Sequence, residues 1–312
     1  MILKNIAFYT LTLLTIQINA HDNNKVILIT GISQGLGLAI ARTLAHHGYT
    51  VYGTIRSTSD MQHVDQVLST TKNLIPLVMD VTDQKSITDG IHTMMEQTGR
   101  IDVLINNACH IIIGTAETCT IEEQQRVMDV NYFGVVRTIQ AVVPIMRQQR
   151  SGHIINISSI SGFEAFPMIE SYVASKFALE GFSESLATYL PEWGIAVSLI
   201  EPAGIKTNIT FTAHMGSRTT PDALLYQKFC IAWQHAMQAG YNTYQDPEEI
   251  AQLILSIIQT PRPSLRYQTN TISRDLATTR FHDPTGDNGI AAKRTNIRSM
   301  LALLHYSEHT YV

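Results

Sequence analysis

Short apolar runs alternate with amphipathic segments along most of this chain. Six runs are apolar enough to predict strands buried on both faces, at residues 25–30, 49–55, 74–79, 101–105, 153–157 and 196–200. Between them, apolar residues recur at helical spacing over 35–47 and near 83–98, 120–147 and 171–190. Because buried strands that alternate with helices form parallel sheets covered on both faces, the pattern predicts an α/β, doubly wound parallel sheet in a single domain.

The pattern is less regular after Pro202. Residues 208–245 predict a helical excursion, and a helix then begins near Asp246, the expected N-cap, with Pro247 in its first turn. A last strand is predicted within 261–267, which brings the sheet to about seven strands. The tail is polar and irregular at first and ends in a modest apolar helix at 297–306. We therefore predict one domain over 25–270 and an extension over 271–312 that caps the ligand cleft or packs on the sheet edge.

The N-terminus has the three-part layout of a secretory signal peptide. Lys4 precedes an apolar run at 6–16, Ala20 lies at a plausible cleavage point, and residues 21–24 are polar. The run is short for a membrane span, which needs about 20 apolar residues. We expect residues 1–20 to be a signal for export (secreted or periplasmic). A cytosol-facing anchor with weak membrane association through 4–18, and a leader that packs on the surface, are the alternatives.

Charge and cysteine content exclude several classes of protein. The formal net charge is −4, with 22 basic and 26 acidic residues, so no basic excess indicates a nucleic-acid partner. The three cysteines are odd in number and form no CxxC pair, which argues against a disulfide framework and a structural zinc site. No metal site is predicted.

A glycine-rich turn follows the first predicted strand. Residues 30–37 are TGISQGLG, and Gly31, Gly35 and Gly37 lie where the strand turns into the first helix. Glycines at this point allow a sharp turn and the close approach of a pyrophosphate, and the helix N-terminus offers free N–H groups. The turn therefore predicts a Rossmann-like dinucleotide site, whose candidate contacts also include Ser33, Gln34 and Leu36.

A second set of motifs lies at the carboxyl ends of later strands. Tyr172 and Lys176 form YxxxK on a predicted helix, where residues four apart share a face. This motif follows Ser158 and Ser159 at the end of the fifth strand, and Asn106–Cys109 ends the fourth. The carboxyl edge of an open α/β sheet is where ligands bind.

Together, TGxxxGxG, the NNA run, the serine and YxxxK resemble the short-chain dehydrogenase/reductase family over about residues 25–270. The resemblance implies that Ser159, thirteen residues before Tyr172, is the catalytic serine and that Tyr172, Lys176 and Asn131 complete the catalytic set. It also implies cofactor contacts from Asp80 and Val81 at the adenine, from Asn107 and Ala108, from Pro202 and Thr207 at the nicotinamide, and from Tyr172 and Lys176.

Two residues depart from the family pattern. Cys109 replaces the glycine of NNAG, and Ala203 replaces the glycine of PGxxxT. If either position needs a positive φ, a side chain there costs on the order of 1 kcal/mol.

The end of the second strand indicates which dinucleotide binds. NAD sites place an acid there to hold the ribose 2′-hydroxyl, but this chain has Ile55 followed by Arg56. A guanidinium can hold a 2′-phosphate with its planar set of donors. The sequence therefore predicts NADP(H), with NADPH preferred over NADH.

The implied chemistry is hydride transfer between NADP(H) and a carbonyl/alcohol pair on a small molecule. Tyr172 is the expected general acid/base, and because its free pKa is about 10, we expect Lys176 and the oxidised nicotinamide to lower it. Ser159 would stabilise the substrate oxygen, and Asn131 would hold a water that relays protons to Lys176.

Other features are similar to the 17β-hydroxysteroid and retinol dehydrogenase branch. These are residues 53–56, Glu201-Pro202 and residues 265–268 with a long tail. They imply a bulky apolar substrate, steroid- or retinoid-like. Apolar residues after Thr207 agree, although plain helix packing explains them as well. The resemblance also implies a homodimer or homotetramer built partly on the 172–190 helix. The alternatives are a non-catalytic NADP(H)-binding regulatory module and an interaction protein anchored through the leader.

Overall fold

The computed structural model describes residues 25–209, 213–218 and 240–281, together with residues 220, 231 and 285. The predicted leader at 1–20, most of the predicted excursion over 208–245 and the predicted helix at 297–306 lie outside these residues. The expectations for those segments stay predictions. Within the described residues, no helix is both long and apolar enough to cross a membrane.

A sheet of seven parallel strands forms the centre of the molecule. Its strands follow the order β3-β2-β1-β4-β6-β7-β9. A separate pair, β5 and β8, lies outside it. The bounds are β1 Val26–Ile29, β2 Thr50–Ile55, β3 Leu74–Val78, β4 Val103–Asn106, β5 Ile112–Ile113, β6 Gly152–Ile157, β7 Ile195–Glu201, β8 His214–Met215 and β9 Arg266–Gln268. The predicted Rossmann-like, doubly wound sheet is confirmed.

Helices cover both faces of the sheet. They are α1 Gly35–His46, α2 Asp65–Thr70, α3 Gln84–Thr98, α4 Ile121–Met128, α5 Gly134–Gln149, α6 Glu170–Tyr189, α7 Pro247–Gln259 and α8 Thr271–Arg280. Successive strand residues point to opposite faces, so Leu28 packs with α3, α5 and α6, whereas Ile27 and Ile29 pack with α1 and α7. Two apolar cores result, one on each side of the sheet.

The direction of winding reverses between β1 and β4. From β1 the chain adds β2 and β3 on one side, then crosses back to place β4 on the other. A crevice forms outside the carboxyl ends of the strands at such a switch point, and it is where ligands bind in this architecture. The fold therefore places the ligand site beside the glycine-rich turn after β1.

Several local features differ from the sequence prediction. The helix predicted over 120–147 is interrupted by a π-helical turn, Asp129–Phe133, between α4 and α5. The tail expected to be irregular after 268 contains α8, which Asn270 caps by accepting from the Ser273 backbone N–H. The short strands β5 and β8 were not predicted, because two residues carry no periodicity.

Asp246 lies at the N-cap of α7, as predicted, but its side chain makes no capping hydrogen bond there. It forms an ion pair with Lys206, with 3.0 Å between Oδ1 and Nζ. The carboxylate therefore ties the start of α7 to the loop after β7, next to the ligand cleft.

Candidate active site

A cleft of about 920 Å³ opens at the carboxyl ends of the strands. Every predicted site residue except Asn131 lines it. These residues are Gly31, Ser33, Gln34, Gly35, Leu36, Gly37, Arg56, Asp80, Val81, Asn107, Ala108, Ser159, Tyr172, Lys176, Pro202 and Thr207. The fold brings together residues that lie far apart in the sequence, while the role of each residue stays a prediction.

The glycine turn has backbone angles and close contacts that only glycine accommodates. Gly31 and Gly35 have φ angles of +74° and +61°, in the left-handed region that favours glycine. At Gly37, a Cβ would lie 2.1 Å from the carbonyl oxygen of Gly31 and 2.4 Å from Nδ2 of Asn107. The first turn of α1 contains no acidic residue that would repel a phosphate. The turn therefore fits a dinucleotide pyrophosphate.

Two side chains, one at the start of the glycine turn and one just after β4, fix its shape. Thr30 Oγ1 accepts hydrogen bonds from the backbone N–H groups of Asn107 and Ala108, at 2.9 and 3.0 Å. In return, Asn107 Nδ2 donates to the carbonyl oxygens of Thr30 and Gly31, at 3.0 and 2.8 Å. From the sequence, Asn107 is predicted to contact the cofactor and Thr30 has no predicted role, yet together they form a reciprocal brace that joins the ends of β1 and β4.

Arg56 extends from the end of β2 with its side chain 75% exposed. Its Nε lies 3.9 Å from Oδ2 of Asp60, one turn further on in a 3₁₀ helix. This distance is too long for a hydrogen bond, so the guanidinium keeps its donors for other groups. Arg56 is thus placed at the cleft with the donors that a 2′-phosphate requires.

Asp80 shapes the turn after β3. Its Oδ1 accepts from both the backbone N–H and the hydroxyl of Thr82, each at 2.8 Å. The N-cap of α3 is Asp83, which accepts from the Lys85 backbone N–H at 2.8 Å. Asp80 is therefore not the helix cap, and it lines the cleft beside Val81.

Tyr172, Lys176 and Ser159 converge at the centre of the cleft. Tyr172 and Lys176 occupy successive turns of α6, and Lys176 Nζ lies 5.6 Å from the centroid of the tyrosine ring. The buried ammonium donates to the carbonyl oxygen of Ile157 at 2.8 Å. Ser159 follows β6, accepts from the Ser161 backbone N–H and hydrogen-bonds to the Tyr172 hydroxyl. Two hydroxyl groups thus meet where a substrate oxygen could contact both.

The pKa of Tyr172 lies above its ordinary value. Burial is the main cause, and charge on the nearby Cys109 thiol adds to it, whereas the hydrogen bond with Ser159 acts in the opposite direction. The hydroxyl therefore keeps its proton. Lys176 is not among the groups that shift this pKa, and the lowering that the sequence predicts from Lys176 together with oxidised nicotinamide stays a prediction.

Asn131 lies in the π-helical turn and is 1% exposed. Its Oδ1 accepts from the backbone N–H of His110 at 2.7 Å, and its Nδ2 donates to the His110 carbonyl oxygen and to Ser175 Oγ, at 2.9 and 3.0 Å. The side chain thus clamps the loop after β4 to α6. Asn131 is predicted to hold a water. That water would have to donate to the side-chain Oδ1 of Asn131, which can accept a second hydrogen bond, or to the main-chain carbonyl oxygen of Asn131.

The two departures from the family pattern cause no backbone strain. Among the described residues, the only non-glycine positions with positive φ are Arg150 and Met168. Cys109 and Ala203 are not among them, so the cost considered from the sequence does not arise. Both residues line the cleft, where they narrow it.

The end of the cleft beyond Tyr172 is apolar. Ile111, Phe166 and Ile169 line it, and Ile113 and Met215 belong to the same apolar cluster without lining the cleft. The pairing of β5 with β8 and a bridge between Gly114 and Ile169 hold these segments together. This wall was missed from the sequence because it is assembled from three distant loops.

Comparison with known proteins agrees with this geometry. Residues 25–215 match the family model described as short chain dehydrogenase. The chain belongs to the short-chain dehydrogenase family. It is an oxidoreductase of that family, whose fold binds a nicotinamide cofactor.

Three similar proteins illustrate the range of this short-chain dehydrogenase's relatives. It is 34% identical over 277 residues to retinol dehydrogenase 8 of Bos taurus, covering 85% of this chain and 88% of the relative. It is 34% identical over 285 residues to estradiol 17-beta-dehydrogenase 1 of Rattus norvegicus, covering 86% and 80%. A crystal structure of a short chain dehydrogenase/reductase from Burkholderia phymatum in complex with NAD superposes with a TM-score of 0.69 at 25% identity, covering 84% of this chain and 96% of that one.

Proposed function

We propose that this short-chain dehydrogenase transfers a hydride between NADP(H) and a carbonyl/alcohol pair on a bulky apolar small molecule, with Tyr172 as the general acid/base. One observation carries the proposal. The hydroxyl groups of Tyr172 and Ser159 meet between the glycine turn on one side and the apolar wall on the other. Cofactor and substrate would therefore come together at the two hydroxyls.

The side chains have complementary tasks in this proposal. Bound nicotinamide supplies or accepts the hydride. In reduction, the Tyr172 hydroxyl donates its proton to the substrate oxygen, and in oxidation the same oxygen takes the proton back. Ser159 donates a hydrogen bond to the substrate oxygen and stabilises its developing negative charge. Lys176, buried one turn away, would contact the nicotinamide ribose and favour the tyrosinate once the proton has left.

The preference for NADP(H) rests on Arg56. We expect NADPH to bind the wild type much more tightly than NADH, and Arg56→Ala to weaken NADPH binding about tenfold while NADH binding changes little. Charge-assisted hydrogen bonds are worth roughly 1.5–3 kcal/mol, and the exposure of Arg56 places it at the low end. Quenching of intrinsic fluorescence by each nucleotide measures both affinities.

Arg42→Ala is the matched control for this experiment. Arg42 is an exposed arginine on α1 that pairs with Glu248 at 2.6 Å and does not line the cleft. Equal affinities of the wild type for NADPH and NADH would contradict the preference. The NAD complex of the Burkholderia phymatum protein makes NAD(H) the competing cofactor.

The apolar wall and the names of the two mammalian relatives support a bulky apolar substrate. The direct test is a panel of steroid and retinoid ketones, aldehydes and alcohols, compared with short polar carbonyl compounds, with nucleotide absorbance as the readout. Turnover of the bulky compounds with higher kcat/KM supports the proposal. Nucleotide binding without turnover of any compound would favour the non-catalytic module instead.

An apolar groove on the surface supports self-association. Ile121 and Phe133 are 63% and 48% exposed, and both line a groove between α4 and α6 that Ala174 also borders. Phe177 is exposed on the same helix, α6. We expect light scattering of the purified chain to give the mass of a dimer or tetramer. A monomer mass at micromolar concentration would contradict this expectation.

A further inference from the structure

A cluster of charged residues adjoins the cleft at Lys176, which lines it. Lys176, Glu180 and Glu184 follow one another at intervals of four residues on α6. Glu201 ends β7, and Arg266 begins β9. Lys176, Glu180, Glu201 and Arg266 are each 7% exposed or less, so four ionisable groups are removed from water at one place. We call these five residues the Arg266 cluster.

Arg266 is the centre of this cluster. Its Nε lies 3.3 Å from Oε2 of Glu180 and 3.3 Å from Oε1 of Glu201, and its Nη2 lies 3.0 Å from Oε2 of Glu184. One guanidinium thus faces three carboxyl groups. The ring of Phe281 covers it from outside, with 5.4 Å between Cζ and the ring centroid.

The carboxyl groups of Glu180 and Glu201 are neighbours, because an oxygen of each lies 3.3 Å from the same Arg266 nitrogen. Each of them keeps one oxygen, Oε1, that is buried and accepts no hydrogen bond from any described residue. The other oxygen of Glu201 accepts from Gln268 Nε2 at 2.5 Å. Ser158 Oγ and Glu180 Oε1 lie against the same side of Gly162. Among the described residues, the charged and polar groups that act on the pair are Arg266, Gln268, Ser158 and Lys176.

Two adjacent buried carboxylates are unstable together. Like charges in contact repel strongly away from water, and one of the two groups keeps its proton instead. Glu184 is 29% exposed, so its charge is partly hydrated and its pairing with Arg266 uses part of the guanidinium's positive charge. The remaining charge of Arg266 cannot neutralise both Glu180 and Glu201.

We propose that Glu180 and Glu201 share one proton near neutral pH, and that this carboxyl pair is a positioning device that controls the charge environment of Lys176. Glu180 lies one turn from Lys176 on α6, and their charges interact. When the pair loses its proton, the extra negative charge holds the Lys176 ammonium more strongly and opposes formation of a tyrosinate at Tyr172. The sharing of a proton is independent of the proposed function, whereas its effect on Lys176 rests on that function.

The titration of the pair agrees with this geometry. Burial first, and then the neighbouring Glu180, raise the pKa of Glu201 to about 8, against the lowering influence of Gln268 and Arg266. Burial also raises the pKa of Glu180, while Arg266, Ser158 and Lys176 act to lower it. A group with a raised pKa in the folded state stabilises the fold below its unfolded pKa, and that stability is lost as the pH rises through the folded value. The melting temperature of the wild type should therefore fall more steeply than that of Glu201→Gln between the ordinary pKa of 4.5 and about pH 8, and the difference in slope should vanish above that.

The proton itself can be observed by infrared difference spectroscopy of the full chain during a pH titration. We expect a protonated-carboxyl C=O band in the wild type that disappears as the pH rises through about 8. Glu201→Gln should lack the band, because the amide replaces the protonated carboxyl without a titrating group. Glu180→Gln is a second variant that should also lose it. Glu96→Gln, which changes an exposed carboxylate on α3, should retain it.

If the band persists in both Glu201→Gln and Glu180→Gln, the two carboxyl groups do not share a proton, and the proposal is wrong. The link to Lys176 has its own measurement, the pH profile of kcat/KM for NADPH-dependent reduction. An ionisation near pH 8 should be present in the wild type and Glu96→Gln and absent from Glu201→Gln. Identical pH profiles in all three proteins would show that the carboxyl pair does not act on Lys176. The infrared band would still decide whether Glu180 and Glu201 share a proton. Absence of turnover in the wild type would contradict the proposed function and leave the infrared result standing.

Discussion

Tyr172→Phe should lower kcat for NADPH-dependent reduction by about a hundredfold to ten-thousandfold, the range that general acid–base catalysis contributes. The substitution removes the hydroxyl that meets Ser159 and leaves the ring, which packs against the two apolar clusters that contain Ile169 and Val127. We therefore expect unchanged folding and nearly unchanged affinity for NADPH. Progress curves at saturating nucleotide with the best substrate of the panel measure kcat directly.

Tyr189→Phe provides the matched control. Tyr189 ends the same helix, packs edge-on against Trp193 and does not line the cleft. It should retain wild-type kcat. If Tyr172→Phe retained more than about a tenth of wild-type kcat, far above the loss expected for a general acid, the assignment of the proton to Tyr172 would be wrong.

The second large effect is expected at Gly37. In Gly37→Ala, the new methyl group would lie 2.1 Å from the carbonyl oxygen of Gly31, a backbone atom that cannot move aside as the end of a flexible side chain can. Overpacking of this kind costs roughly 1–3 kcal/mol of stability. It would also displace the Gly31 turn, so we expect NADPH binding to be lost or weakened by at least about a hundredfold, or about 2.7 kcal/mol.

Gly181→Ala is the control for this substitution. It tests whether the loss of NADPH binding comes from the position of Gly37 or from replacing any glycine with alanine. Gly181 is an exposed residue of α6, and nothing lies within 4 Å of the position that a Cβ would take there. Alanine there should stabilise the protein by about 0.5–1 kcal/mol, because glycine is unfavourable inside a helix. Thermal melts and NADPH titrations of both variants separate the two outcomes. Normal NADPH affinity in Gly37→Ala would show that the turn does not hold the pyrophosphate.

The sheet was predictable from the sequence because its strands are buried on both faces and therefore uniformly apolar. The ligand edge was predictable because the glycine turn and the other motifs follow the carboxyl ends of predicted parallel strands, which meet at one edge of the sheet. By contrast, α8 was missed because it is polar, and Ser273 and Ala277 are its buried residues. Its position depends on contacts with residues far away in the sequence.

The Arg266 cluster shows a different limit of sequence analysis. Glu180 and Glu184 follow Lys176 at helical spacing, which ordinarily indicates an exposed face with local ion pairs. Their partner Arg266 is more than eighty residues away along the chain, and only the pairing of β7 with β9 brings it to them. No local pattern carries that information.

The reciprocal hydrogen bonds between Thr30 and Asn107 have a consequence for the thermodynamics of binding. They hold the carbonyl oxygens of Thr30 and Gly31 in place against the residues that follow β4. The turn is therefore ordered when the protein folds and not when the nucleotide binds. Because binding then carries no further loss of conformational entropy in the turn, the nucleotide binds more tightly. Loosening the brace should therefore make nucleotide binding entropically less favourable, even though neither side chain needs to touch the phosphates.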